Sequence, residues 1–406
     1  MRTHRWTSLP EVAQQLRELI RDSMQGSQSP HCSAGARSDL VQRFDLLVVE
    51  LFRLQFEANT AYRAFCEARG SAPGPITHWT QIPFLPVAAF KELDCTTLLE
   101  DQRTRVFHSS GTTRAKPSRH FHNEQSLESY EASILPWFKK HLLPDFDSWR
   151  GRLFGGPLEP PDFLILTPPP ALCPNSSLAH MFEVVRREHA PTSSPFSGKI
   201  ATDGSWSLNK PTIETALNQA VDFFRPLFIL GTAFSFVELA DHLLSGNKAV
   251  VLPAGSRALE TGGYKGRSRS MPKHQLYSMI TKTLGIPGNN IVSEYGMSEL
   301  SSQAYDSTAA IGTEEPRQAP AVPRAARAFH FPPWTRSRIV SPEDGKEVLP
   351  GQIGILQVFD MANIFSVSAL QTEDLAQRLD EGFELLGRAP LSEPRGCSLN
   401  QVETPR

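Results

Sequence analysis

Short apolar runs alternate with amphipathic helical stretches through the middle of the chain, and this alternation constrains the fold more than any other feature. The candidate buried strands are residues 163–166, 228–230, 249–252 and 291–292. Helical periodicity separates them, as at residues 236–244 and 276–284. Strands that alternate with helices in this way predict an α/β fold with a largely parallel sheet.

The region before these strands is predicted to be helical. Residues 10–24 and 39–69 carry helical patterns, and Gly70 ends the second one. We expect residues 1–80 to form a helical cap on the domain that follows. Asn123 has the side chain of a helix cap and stands directly before another amphipathic segment.

The pattern changes in the last third of the chain. Residues 306–333 are rich in Ala, Pro and Arg without periodicity, which predicts a mobile loop. An antiparallel meander is predicted beyond it, with strands at residues 337–340, 353–359, 366–370 and 383–386. We therefore expect a core domain over residues 81–388, with its β-rich part at about 334–388, and a short tail over 389–406.

Composition excludes several classes of protein. A chain of 406 residues with 40% apolar content can bury a large core. The formal net charge of -2 and the scattered Lys and Arg residues argue against a nucleic-acid partner. No stretch approaches the roughly 18 apolar residues of a membrane span, and the N-terminus lacks the apolar region of a signal peptide. We expect a cytoplasmic protein. Its five cysteines contain no C-x-x-C pair, which argues against a structural zinc site.

The run SSGTTRAKPSRH, over residues 109–120, is a candidate phosphate-binding loop. Glycine lets the backbone approach a ligand, hydroxyl groups donate hydrogen bonds, and successive N–H groups can surround an anion. The spacing matches neither a P-loop NTPase nor a dinucleotide fold. For the isolated string, a polar surface turn is the alternative interpretation.

Three further strings follow the loop in a fixed order: YGMSE at Tyr295, QTED at Gln371 and LGRAP at Leu386. Together with SSGTT they resemble the adenylate-forming superfamily of acyl-CoA synthetases, luciferases and peptide-synthetase adenylation domains. Two positions depart from the superfamily pattern, since Arg114 and Glu373 stand where glycines are usual. The longer strings GTAF, ETGGYKGR, FDMAN and RGCSL are similar to the acyl-protein synthetase of bacterial bioluminescence.

This resemblance implies a fold and two ligands. The fold is an α/β adenylate-forming one, with a large N-terminal domain of mainly parallel sheets, a β subdomain and a strongly truncated C-terminal lid domain. The ligands are ATP and Mg²⁺, because a carboxylate that attacks the α-phosphorus of ATP needs cations and donors around the phosphates. By resemblance, the residues that hold the β- and γ-phosphates are Ser109, Ser110, Gly111, Thr112 and Thr113.

The resemblance also assigns the remaining nucleotide contacts. Glu299 and Thr112 are implied as the Mg²⁺ ligands, and Ser298 keeps a hydroxyl near the α-phosphate or the acyl carboxylate. Tyr295 and Gly296 are expected against the adenine, whose other wall comes from Gly262 and Gly263 unless these are turn glycines. Asp374 is the expected ribose acceptor, although Glu373 beside it is an alternative. Arg388 lies at the family hinge, where it reaches ribose or phosphate oxygens or remains a surface arginine.

The acid and its acceptor are the last expectations. Gly231, Thr232 and Phe234 are expected to line the pocket for a fatty or other carboxylic acid, although core packing explains Phe234 equally well. Lys265 is the candidate replacement for the lid lysine, or a solvated loop lysine. Cys397 matches the family cysteine that accepts the acyl group as a thioester, for delivery to a reductase or carrier protein.

Two alternatives to this acid-thiol ligase remain open at the level of sequence. The first is an acyl-CoA or aryl-CoA ligase, in which free CoA is the acceptor and the cysteine at position 397 has no role. The second is a non-catalytic nucleotide-binding protein of the same fold, suggested by the altered phosphate loop and the short tail.

Overall fold

The computed structural model describes residues 6–28, 34–109, 116–144, 161–202, 204–246, 248–262, 271–309 and 327–389. Five of the described strands form the first sheet, in the order β10-β9-β8-β7-β4. They are β4 (Asp162–Ile165), β7 (Leu227–Thr232), β8 (Arg257–Thr261), β9 (Ile291–Tyr295) and β10 (Ala304–Tyr305). In this sheet the pairs β4–β7, β7–β8 and β8–β9 are parallel, and β10 pairs antiparallel with β9. The predicted α/β architecture is confirmed.

Both faces of this sheet are buried, which explains why its strands are apolar without a polar face. Alternate side chains of one strand enter different cores: Phe228 and Leu230 pack in one, Leu227 and Ile229 in the other. Described helices of this region are α6 (Ser177–His189), α7 (Lys210–Asp222), α8 (Ala233–Ser245) and α9 (Lys273–Leu284). The last three contribute most of the second core.

One strand prediction is wrong. Residues 249–252 are not a strand; the backbone N–H groups of Val250 and Leu252 instead donate to the end of α9, at Thr283 and Leu284. The strand is β8 instead. Its sequence RALET lacks the apolar pattern of a buried strand, because two of its five residues are charged. Both are buried, since the Arg257 guanidinium donates to the carbonyl of Leu142 and Glu260 accepts from a tyrosine hydroxyl.

The segments before residue 80 that were predicted to be helical are helical, and two more described helices precede β4. The helices are α1 (Leu9–Gln28), α2 (Ala34–Ala58), α3 (Thr60–Glu67), α4 (Ala89–Glu92) and α5 (Glu124–Leu142). The single helix predicted over residues 39–69 is broken at Asn59, whose side chain caps α3 by accepting from the N–H of Tyr62. Asn123 caps α5 in the predicted way. In the described residues, no helix combines the length and apolar character needed to cross a membrane.

The C-terminal region forms a second sheet. It has the order β1-β13-β12-β11, with β14 also paired to β13. Its strands are β1 (Leu85–Pro86), β11 (Thr335–Val340), β12 (Ile353–Asp360), β13 (Ala369–Arg378) and β14 (Phe383–Arg388). The predicted antiparallel meander from β11 to β14 is confirmed, and β1 adds a parallel edge.

Two boundaries in this region differ from the predictions. The strand expected at residues 366–370 is β13, which begins three residues later and continues to Arg378. The loop expected over residues 306–333 is partly packed where it is described, since Phe329 is buried and its backbone exchanges two hydrogen bonds with Phe383. Residues 310–326 of that prediction lie outside the described residues.

Two hairpins complete the described strands. One joins β2 (Arg105–His108) to β3 (Arg119–His122), and the other joins β5 (Gly198–Ile200) to β6 (Trp206–Leu208). The first hairpin carries the candidate phosphate loop between its strands.

Candidate active site

The candidate phosphate loop begins and ends at a closed pair of serines. The N–H of Ser109 donates to the carbonyl of Ser118 at 3.3 Å, and the N–H of Ser118 donates to Oγ of Ser109 at 3.0 Å. These bonds extend the pairing of the two strands by one step beyond His108 and Arg119. The expected phosphate ligands Ser110, Gly111, Thr112 and Thr113 lie outside the described residues.

The β2–β3 hairpin also forms hydrogen bonds to the segment that carries Glu299. The hydroxyl of Ser118 donates to the Glu299 carboxylate, and the hydroxyl of Ser298 donates to the carbonyl of His108 at 2.9 Å. Nδ1 of His120 lies 2.8 Å from the carbonyl of Ser298. Burial lowers the pKa of His120 to about 4, so the ring is neutral and donates its Nδ1 proton to that carbonyl. Three contacts therefore hold Ser298 and Glu299 against the base of the loop.

Tyr295 lies on the opposite side of the site, at the end of β9. Its hydroxyl donates to Oδ2 of Asp374 on β13 at 2.8 Å. The ring is held edge-on by three phenylalanines at centroid distances of about 6 Å, Phe329, Phe331 and Phe383. Burial, followed by the charge of Asp374, raises the pKa of Tyr295 well above its usual value, so this hydroxyl remains a donor.

The two neighbouring acids of QTED face different partners. Asp374 contacts Tyr295, whereas Glu373 lies 3.8 Å from the ammonium of Lys91 and 3.5 Å from the guanidinium of Arg388. The side chain of Arg388 is 70% exposed and stands opposite Asp374 in the ladder between β13 and β14. Of the two carboxylates that the sequence left open, Asp374 is the one next to the tyrosine.

A second carboxylate beneath Tyr295 was missed by the sequence analysis. Glu294 is buried, and burial raises its pKa to about 7 although the hydroxyl of Thr261 donates to it. Its carboxylate occupies the space beside Gly296, where a Cβ would lie 2.4 Å from Oε1. Gly296 is therefore required to accommodate this buried acid. The sequence signal was the charged residue inside an otherwise apolar strand.

The described residues expected in the acid pocket make packing and helix-capping contacts. Gly231 packs against Leu166, since a Cβ on it would lie 2.9 Å from that of the leucine. Thr232 caps α8 by accepting from the N–H of Ser235, and Phe234 follows in the first turn of that helix, half-buried. Gly262 ends the described part of the ETGGYKGR string. Gly263, Lys265 and Cys397 lie outside the described residues.

The donors around Glu299 fit a magnesium ion that accompanies a nucleotide. Among the described residues, no three His, Cys, Asp or Glu side chains form a metal site by themselves. Nucleotide-bound Mg²⁺ needs only one or two protein carboxylates, because phosphates and waters complete its octahedron. The buried carboxylate of Glu299 and the hydroxyl of Ser118 supply hard oxygen atoms at the base of the loop.

No protein-family model and no curated protein matches the sequence. Solved structures match in fold. The open conformation of 2-hydroxyisobutyryl-CoA ligase, in complex with 2-HIB-AMP and CoA, aligns with a TM-score of 0.55 at 14% identity, over 87% of this chain and 75% of that chain. The same ligase in the postadenylation state aligns with a TM-score of 0.56 at 13% identity, over 86% and 68%. The thioesterification state gives a TM-score of 0.55 at 14% identity, over 86% and 68%. The chain therefore has the α/β fold of the adenylate-forming enzymes.

Proposed function

We propose that the protein activates a carboxylic acid with ATP, forming an acyl-adenylate and pyrophosphate. One observation carries this proposal. Ser118 at the end of the loop donates to Glu299, and Ser298 donates to His108 just before the loop, although these elements are far apart in sequence. An adenylating site needs phosphate donors and a metal carboxylate on the same triphosphate, and this juxtaposition supports both.

The chemistry assigns a role to each group. An oxygen of the acid attacks the α-phosphorus, the bond from that phosphorus to the bridging oxygen breaks, and pyrophosphate leaves with the electron pair. Loop hydroxyl and N–H groups would stabilise the charge that develops on the phosphates. Glu299, with Thr112, would hold Mg²⁺, which supplies charge neutralisation. Tyr295 would pack against the adenine, and Asp374 would accept from the ribose hydroxyls, with Arg388 beside it.

Exchange of labelled pyrophosphate into ATP tests this proposal. A panel of fatty, short hydroxylated and aromatic acids is supplied one at a time with Mg²⁺. Exchange that depends on the acid supports adenylation and names the substrate class. ATP binding without exchange for any acid favours the alternative of a non-catalytic nucleotide-binding protein.

The acceptor of the acyl group is a second part of the proposal. A fatty acyl group is expected to pass to Cys397, whose thiolate attacks the acyl carbonyl carbon while AMP leaves, and then to a reductase or carrier protein. Lys265 is the candidate group for the acyl carboxylate. A CoA ligase is the second candidate, and it is favoured by a fold like that of a ligase whose structures contain CoA.

Replacement of the cysteine separates these two acceptors. If Cys397→Ser retains pyrophosphate exchange but loses covalent labelling by radiolabelled acid, the protein thioester is supported. If parent protein and variant form acyl-CoA equally well, free CoA is the acceptor. Cys173→Ser is the matched control, because burial raises the pKa of that thiol to about 11 and its Sγ lies near two proline carbonyls.

A further inference from the structure

A buried carboxylate lies directly behind the segment that carries Glu299. Asp360 ends β12 with an exposed fraction of 0%. Its Oδ2 accepts from the backbone N–H groups of Ser301 and Ser302, both at 2.8 Å. Its Oδ1 accepts from the hydroxyl of Ser302 at 2.7 Å and from the N–H of Ala362 at 3.0 Å. These donors compensate for the cost of removing a carboxylate from water.

Asn363, from the same FDMAN string, completes the contact. Its Nδ2 donates to the backbone carbonyl of Glu299 at 2.7 Å and to the carbonyl of Val367 at 3.1 Å. Its Oδ1 accepts from the hydroxyl of Ser301 at 2.7 Å. The backbone is therefore bonded at residues 299, 301 and 302 to Asp360 or Asn363, at and just after the end of β12.

The opposite side of Glu299 faces the loop. Its carboxylate accepts from Ser118, and the preceding residue is bonded to both strands of the β2–β3 hairpin. Glu299 is thus bonded on both sides, to the β2–β3 hairpin and to the segment at the end of β12, which are far apart in sequence. On the hairpin, Ser118 binds the Glu299 side chain, while His108 and His120 bind Ser298. Asp360 binds the backbone N–H groups of the two serines that follow shortly after Glu299.

We propose that Asp360 is a positioning residue, which sets the place of the Glu299 carboxylate by fixing the backbone that follows it. This inference rests on the proposed function, in which Glu299 serves the metal and the nucleotide. Asp360 itself is surrounded by protein donors and does not touch the reacting groups. Its loss should therefore alter how well Mg²⁺ supports ATP binding and turnover, with little effect on the acid.

The test uses Asp360→Asn in the full chain. Asparagine can keep its oxygen toward Ser301 and Ser302, but its NH₂ group then faces the N–H of Ala362, so one donor opposes another. Amide exchange at Ser301 and Ser302 is expected to become about tenfold faster, which corresponds to one lost charge-assisted bond. The increase in ATP affinity on adding Mg²⁺, measured by calorimetry, should fall by about tenfold, and kcat with it, while KM for the acid is retained.

Asp344→Asn is the matched control. That carboxylate also accepts a backbone N–H, from Lys346 at 3.1 Å, but in an exposed turn of the second sheet. It should leave the exchange of residues 301–302 and the Mg²⁺ response unchanged. A folded Asp360→Asn variant with the parent's amide exchange and Mg²⁺ response overturns the inference.

Ser302→Ala decides the case if Asp360→Asn does not fold. It removes one hydroxyl that bridges Asp360 and Ser133 and leaves both N–H donors in place. About threefold faster exchange at residue 301, with a reduced Mg²⁺ response, supports the positioning role, and unchanged values overturn it. If the parent protein shows no acid-dependent exchange of pyrophosphate into ATP, only the proposed function is refuted. Hydrogen exchange of the backbone amides and Mg²⁺-dependent ATP binding still test the role of Asp360.

Discussion

The two sides of the candidate site are held by different forces. On one side, Ser298 and Glu299 are fixed by buried hydrogen bonds from the hairpin and from the end of β12. On the other side, Arg388 is mostly exposed and lies 3.5 Å from Glu373, while Asp374 beside it holds the tyrosine at 2.8 Å. A buried hydrogen-bonded carboxylate is confined to one position, whereas an exposed ion pair contributes about 0–1 kcal/mol and can be exchanged for water.

This contrast suggests a division of labour. Under the proposed function, this rigidity of the Glu299 side would favour catalysis, because preorganised donors need no rearrangement as charge develops. The Arg388 side can rearrange at little cost, because its ion pair is exposed. Substitutions on the first side should therefore change kcat strongly, and those on the second should change binding weakly.

Glu299→Gln should have the largest effect. Glutamine keeps the shape and can still accept from Ser118, but it removes the charge from the proposed metal ligand. We expect kcat for acid-dependent pyrophosphate exchange to fall by about 10²–10³-fold, with a melting temperature close to that of the parent. Glu381→Gln, on an exposed turn, is the control. Turnover near the parent value in Glu299→Gln would remove this residue from the metal site.

Asp374→Asn should affect binding more than turnover. The amide oxygen can still accept from Tyr295, but one of the two acceptor oxygens proposed for the ribose becomes a donor. KM for ATP is expected to rise about tenfold while kcat changes less than about twofold, as steady-state kinetics would measure. Asp380→Asn, in the exposed turn between β13 and β14, is the matched control. A fall in kcat at constant KM contradicts a ribose role.

The residue types proposed for the Glu299 side can be recognised in the sequence, whereas the contacts that hold them cannot. The strings SSGTT and YGMSE predict the phosphate loop and the Glu299 carboxylate, because hydroxyl, glycine and carboxylate residues suit that chemistry by their type alone. The bonds between them depend on Ser118 and His120, ordinary residues whose partners are more than 170 positions away. Only the topology, which places the β2–β3 hairpin beside the end of β9, gives them a role.

The missed strand teaches the same lesson for the fold. Residues 249–252 are apolar and were assigned to the sheet, but Val251 is 78% exposed. The true strand β8 contains Arg257 and Glu260, which hydrophobicity excludes and which specific hydrogen bonds make acceptable in the interior. Patterning detects burial driven by apolar area, and it cannot detect burial that depends on a distant partner.

Glu294 provides a pH test of the buried acid next to Tyr295. Its pKa rises from 4.5 to about 7 on folding because of burial, with the nearby charge of Glu260 acting in the same direction. The folded state therefore keeps a proton that the unfolded state loses between these values, and its stability falls as the pH rises through this window. Relative to Glu294→Gln, the parent should lose up to about 1.4 kcal/mol of unfolding free energy per pH unit there.

Denaturant unfolding at closely spaced pH values measures this difference. Glu188→Gln, exposed on α6, should follow the parent at every pH. If parent and Glu294→Gln have parallel pH profiles, Glu294 is charged in the folded protein at neutral pH. A charged acid at this buried position would imply solvent or a cation close to β9.

Arg388→Ala should have the smallest effect, and it examines the exposed side directly. The guanidinium is 70% exposed, so losing its 3.5 Å contact with Glu373 should change the unfolding free energy by less than about 0.5 kcal/mol. If it contacts the nucleotide only weakly, KM for ATP should rise by no more than about threefold, and added salt should shrink the difference further. Arg187→Ala, which breaks a 2.7 Å surface pair with Glu131 outside the site, is the control for charge loss alone. A hundredfold loss of kcat in Arg388→Ala, with parent stability, would mean that this arginine becomes ordered when ATP binds. The exposed side would then be preorganised by its substrate, whereas hydrogen bonds within the protein already fix the Glu299 side.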